Sequence, residues 1–164
     1  MIDKELIENA IAEALKTGGD FAEIFVEDKR SSSAYFDDGK VEELTSGRDR
    51  GAGIRVVVGE TPGFAHTADL STQGLLEAAR SAAAAARSNG GASSANNLTA
   101  SSNPSPNPVL VLPETVEKIK KVELLKRADE VARSQSKSIT QVSARYGDSR
   151  RRILVANSDG VYAS

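Results

Sequence analysis

An α+β fold, with helices packed on a mostly antiparallel sheet, is predicted by three features of this sequence. An amphipathic helix opens the chain. Several short runs of strand-type alternation follow it, joined by tight turns of Gly, Asp and Pro. A second helix-then-strand series returns after a long segment nearly devoid of large apolar side chains, read as a flexible linker.

Residues Asp3 to Thr17 read as the first helix. Leu6, Ile7, Ala10, Ile11, Ala14 and Leu15 share one face, Asp3 can cap the start and Gly18-Gly19 can end it. Phe21 to Lys29 alternates as a strand, with Ala22, Ile24 and Val26 toward the core and Phe21, Glu23, Phe25 and Glu27 on the other, partly buried face. Ser33–Phe36 and Val41–Thr45 flank Asp37-Asp38-Gly39-Lys40, a hairpin signal. Gly53–Val58 and Phe64–Ala68 extend the meander across the turn cluster Gly59 to Gly63. A helix over Ser71–Ser88, capped by Asp69 or Ser71, presents Leu75, Leu76, Ala79, Ala82, Ala83 and Ala86 to the sheet.

From Asn89 to Pro108 the chain turns to Gly, Ala, Ser, Asn and Pro, and only Leu98 could anchor it. Three segments are therefore expected: 1–88, a linker over 89–113, and 114–164. The last begins with a helix over Glu114–Ser134 carrying Val122, Leu124, Leu125, Ala128, Val131 and Ala132 on one face. Glu114–Lys118, Glu117–Lys121 and Glu123–Arg127 are spaced as i,i+4 ion pairs. A hairpin is expected next, with Ile139–Tyr146 and Arg151–Ala156 turning at Gly147-Asp148-Ser149, in faint echo of the N-terminal pattern. After Asn157-Ser158-Asp159-Gly160, Val161 to Ser164 opens a strand for which no partner is evident. Such an edge would favour association, and the chain reads as truncated before a further domain.

Composition excludes several classes. The net charge of −2, from 21 basic and 23 acidic side chains, provides no strong field for nucleic acid or an anionic membrane. No run approaches a membrane span, and the charged N-terminus lacks the apolar core of a signal peptide. With no Cys and one His, the sequence has neither a disulfide framework nor the ligands of a zinc site. That lone His66 sits on a strand face with Phe64 and Ala68 and reads as a sheet residue; no orienting acid or nucleophile is spaced to make it a base. Arg150-Arg151-Arg152 with Arg145 is a basic cluster without the aromatic interleaving of a nucleic-acid site. Gly51-Ala52-Gly53 precedes a strand, so it is no dinucleotide loop, and no serine stands in a nucleophile elbow. No catalytic, cofactor-binding or metal-binding residue is assigned.

The string Asp49-Arg50-Gly51-Ala52-Gly53-Ile54-Arg55, then Gly59-Glu60-Thr61-Pro62-Gly63-Phe64-Ala65, then Leu70-Ser71 and an Ala-rich helix, resembles the N-terminal domain of the TldD/PmbA metalloprotease family, also labelled "modulator of DNA gyrase". The Asp49-Arg50-Gly51 opening resembles the TldD branch more than PmbA (TldE). Gly19-Asp20-Phe21-Ala22-Glu23, Leu124-Leu125-Lys126-Arg127-Ala128 and Asn157-Ser158-Asp159-Gly160 extend the likeness over nearly the whole chain.

The resemblance implies a cytoplasmic zinc peptidase acting on unfolded or small peptides and paired with a PmbA-type subunit. Its zinc helix, His-Glu-x-x-x-His with a downstream Cys, has no counterpart here. This chain is thus expected to be a non-catalytic part that helps to enclose substrate and to contact the other subunit. A free-standing, non-enzymatic binding or regulatory module is the alternative.

Overall fold

The structure is a computed structural model that describes residues 2–86, 98–101 and 109–164. Most of the segment expected to be a linker lies outside the described residues. Among the described residues are three α-helices, α1 (Lys4–Leu15), α2 (Thr72–Ala85) and α3 (Lys118–Ser134). With them are six strands, β1 (Phe21–Asp37), β2 (Lys40–Val58), β3 (Thr61–Thr67), β4 (Thr99–Ser101), β5 (Ser143–Asn157) and β6 (Val161–Ala163). The strands form one sheet in the order β3-β2-β1-β5-β6-β4, antiparallel at β2–β3 and β5–β6 and parallel at β4–β6. The fold is α+β, as the sequence predicts.

Two compact units are assembled from interleaved segments. The first comprises Met1–Asp28, Arg50–Ser105 and Arg152–Ser164, and the second Lys29–Asp49 and Pro106–Arg151.

In the first unit α1 begins at Asp3, whose side chain accepts from the Glu5 backbone N–H, and its buried face is the expected Ile7, Ala10, Ile11, Ala14 and Leu15. Ser71 caps α2 by accepting from the Gly74 N–H. Both helices share a core with Ala22, Ile24 and Val26 of β1, Ala52, Ile54 and Val56 of β2, and Leu154 and Ala156 of β5. Small alanines bring α2 close to the strands. At Gly63 in β3 an added Cβ would run into the α2 backbone at Ala82 O and Ala86 N. Gly63 is thus a site of close approach within a strand.

The second unit has a smaller core. Ala34 and Phe36 of β1 and Leu125 of α3 are buried, with Ala144 and Tyr146 of β5 packed against them. The β1–β2 connection is the expected tight turn, with φ of 44° at Asp38 and 84° at Gly39. Two consecutive positive values are what a right-twisted two-residue hairpin requires.

Several expectations are corrected. The paired short strands 21–29 with 33–36, and 41–45 with 53–58, are single long strands, β1 and β2. The hairpin at Gly147-Asp148-Ser149 does not exist. Those residues lie inside β5, because Asp148 points inward to a buried cation instead of turning the chain. The echo of the N-terminal pattern fails with it, and Arg145 lies along the same strand as Arg150, stacked over the Tyr35 ring at 4.4 Å. Helix α3 starts at Lys118, and Pro113–Thr115 before it forms a separate 3-10 turn. Its apolar face is out of phase with expectation: Leu124 and Val131 are exposed, whereas Lys121 and Asp129 are buried beside Val122 and Leu125.

The strand at Val161 has partners on both sides. It pairs with Val155 and Ala156 of β5 and with Thr99–Ser101, and Leu98, buried at 6% exposure, anchors that last strand. Val161–Ala163 is therefore an interior strand and not the unpartnered edge expected from the sequence, so it gives no ground for association.

Candidate functional site, a polar cavity under helix α3

Strand alternation sets the site's chemistry. In the second unit Arg30, Ser32, Ala34 and Phe36 of β1 fall on one face, as do Ala144, Tyr146, Asp148 and Arg150 of β5. The apolar members pack against α3, and the polar members continue the same rows into a cavity of about 410 Å³. Arg30, Arg48, Lys118, Lys121 and Arg150 line it with two carboxylates, Glu114 and Asp148. Ser31, Ser32 and Ser46 contribute hydroxyls, and Pro113 and Val116 an apolar wall.

The floor is a closed triangle of hydrogen bonds. The Lys121 ammonium, 5% exposed, donates to Asp148 Oδ2 at 2.6 Å and to Ser32 Oγ at 2.8 Å. Ser32 in turn donates to the same carboxylate oxygen at 2.8 Å. The ammonium also lies 5.4 Å from the Tyr146 ring centre, a cation–π contact. Burial pushes the Asp148 carboxyl up, but hydrogen bonds from Lys121, Ser32 and Tyr146, with the Lys121 charge, outweigh it. The carboxyl therefore sits below its ordinary value of 3.8. The hydrogen bond to Asp148, aided by burial and the carboxylate charge, holds the Tyr146 phenol above its ordinary 10.0.

A serine hydroxyl beside a lysine invites comparison with Ser–Lys nucleophile pairs. The geometry argues otherwise. Lys121 is a donor to both neighbours, and the Ser32 proton is directed at Asp148, so neither nitrogen nor carboxylate is disposed as a free base toward an open nucleophile. The triangle is a structural tie between α3, β1 and β5.

At the rim Arg150 is ion-paired with Glu114. Glu114 lies below the usual carboxylate value, first through its own backbone N–H and then through Arg150. A second tie fixes the far end of α3. Arg133 Nε bridges both oxygens of Asp129 at 3.0 and 3.1 Å, and its Nη2 reaches Asp38 in the β1–β2 turn at 2.5 Å. Neither the buried Lys121 nor the buried Asp129 was legible as such in the sequence. Only their placement on the face that also carries Val122 and Leu125 could have signalled it.

His66 lies in the first unit, exposed on β3, with its ring 6.3 Å from that of Phe64. Among the described residues no group of three or more His, Cys, Asp or Glu is placed to hold a metal ion. The residues described therefore do not fit a zinc centre. Nor is any described helix long and apolar enough to cross a membrane.

The sequence pattern of PmbA/TldA metallopeptidase domain 1 matches residues 22–86, and that of the PmbA/TldA metallopeptidase central domain matches residues 112–164. The chain belongs to the PmbA/TldD family. A metalloprotease TldD homolog of Haemophilus influenzae is 32% identical over 88% of this chain and 30% of its own length. Another, from Buchnera aphidicola, is 26% identical over the same shares. The chain thus spans about a third of the curated relatives it matches.

Two solved structures have the same fold. TldE from Thermococcus kodakarensis superposes with a TM-score of 0.69 at 21% identity, over 96% of this chain and 36% of that one. A protein from Thermotoga maritima described as a modulator of DNA gyrase superposes with a TM-score of 0.72 at 18% identity, over 97% and 36%.

Proposed function

We propose that this chain is the non-catalytic N-terminal part of a TldD-type zinc metalloprotease. The parent enzyme is cytoplasmic and degrades or processes unfolded or small peptides in company with a PmbA (TldE)-type subunit. The observation that carries this reading is the order of two family domains, first domain then central domain, along a chain whose TldD relatives are about three times longer. In this reading zinc belongs to the parent enzyme and is held by residues outside this chain. It would supply a polarised water for peptide hydrolysis.

The contribution of this part is substrate enclosure and subunit contact. Strand alternation in the first unit leaves Phe25, Phe64, Ile153 and Val161 on the sheet face away from α1 and α2, each between 38% and 62% exposed. An apolar sheet face of this kind suits contact with another protein surface.

The test is to incubate the 164-residue chain with zinc, remove free metal, and measure retained zinc by mass spectrometry alongside cleavage of casein peptides. No stoichiometric zinc and no cleavage are expected. Retention of one zinc per chain with chelator-sensitive cleavage would overturn the assignment as non-catalytic.

A further inference from the structure

We propose that the cavity beneath α3 binds a small organic oxyanion, a phosphate or a carboxylate. This goes beyond the peptidase assignment and does not depend on it. Five cationic side chains face two carboxylates around one cavity, so the lining is positive even though the whole chain is slightly acidic. A uniform surface would not concentrate charge in this way.

By their pairing, four of the five cations fall into two groups, and Arg48 is not among the free ones. Lys121 is used in the floor, where its ammonium is matched by Asp148 and Ser32. Arg150 is matched by Glu114. Arg30 acts on the Glu114 carboxylate through its charge alone, and neither Arg30 nor Lys118 makes a salt bridge among the described residues; both are exposed and line the cavity. A guanidinium and an ammonium beside the hydroxyls of Ser31 and Ser46 form a donor set that an oxyanion complements. The cavity volume of about 410 Å³ falls in the range of small-molecule sites. Pro113 and Val116 give the organic part of the ligand an apolar surface. The saturated triangle below keeps the floor fixed, so the ligand meets a preformed wall.

The experiment is a two-dimensional amide NMR titration of the 164-residue chain at constant ionic strength. One arm uses inorganic phosphate; the other uses an acetylated trialanine with a free carboxyl end, with its amidated form as control. Saturable shifts at Ser31, Ser32, Gly47 and Lys118 are expected in at least one arm. The responding arm identifies the phosphate or the carboxylate as the preferred group. Arg30→Ala and Lys118→Ala should each weaken binding about tenfold, the scale of one lost charge-assisted hydrogen bond. Lys126→Ala, an exposed α3 cation outside the cavity, should not. Melting curves of the variants verify that each is folded. Absence of saturable shifts in both arms would overturn the proposal, as would equal weakening by Lys126→Ala, which reports general charge attraction.

Discussion

Lys121 shows how a single side chain can decide the organisation of a small unit. Its ammonium is 5% exposed and lies among one carboxylate, one hydroxyl and one aromatic ring. Removing the carboxylate leaves a buried charge without its counterion, which typically costs about 3–5 kcal/mol. Asp148 retains 15% exposure, so Asp148→Asn is expected at the lower end, about 3 kcal/mol by urea unfolding. Adding Lys121→Met removes the stranded charge and should restore a large part of that loss; a double variant no better than the single would contradict the pairing. The pH dependence has a definite sign. Because the folded carboxyl lies below 3.8, its contribution is complete above that value and is lost as pH falls through the lowered folded value. Asp148→Asn should therefore flatten the loss of stability as pH falls below about 3.8. None of this was readable along the chain. The i,i+4 spacing suggested Glu117 as the partner of Lys121, while the actual partners are 27 and 89 residues away in sequence.

Elements were legible where a local pattern coincided with burial. In α1 the apolar spacing, the Asp3 cap and the buried face agree, and Asp38-Gly39 forms the hairpin its residue types demand. Agreement ended where distant partners override local preference. Gly147-Asp148-Ser149 has the composition of a turn, yet the inward pull on Asp148 keeps it extended within β5. The apolar stripe of α3 was drawn through Leu124 and Val131, but the helix is rotated so that Lys121 and Asp129 meet their partners. Gly63 was legible only as a turn residue, since nothing in its neighbourhood shows that α2 passes directly behind β3. A methyl group there would meet Ala85 C at 2.9 Å as well as the Ala82 and Ala86 backbone, which cannot rotate away. Gly63→Ala is expected to lower stability by about 2–3 kcal/mol, the scale of core overpacking. A melting temperature unchanged from the parent chain would show that β3 and α2 are not held at this separation.

At the scale of the molecule, the chain's family was legible in the sequence. The string from Asp49 to Ala65 and the Ala-rich helix after it lie within the domain 1 match, and Leu124 to Ala128 with Asn157 to Gly160 within the central-domain match. The two compact units take alternate segments, because β1, β2 and β5 are long enough for each to contribute residues to both. Strand length is set by partners, and partners are invisible to a local pattern. The proposal that this chain serves a larger zinc peptidase rests on the two family domains it carries. It is tested most directly by metal analysis and peptide cleavage on the longest protein encoded by the gene, purified without added zinc. The expected product extends past Ser164 into a His-Glu-x-x-x-His segment, carries about one zinc per chain and shows cleavage that a chelator abolishes. A gene product that ends at Ser164, or a longer one that holds no zinc and cleaves no peptide alone or with a PmbA-type subunit, would contradict it.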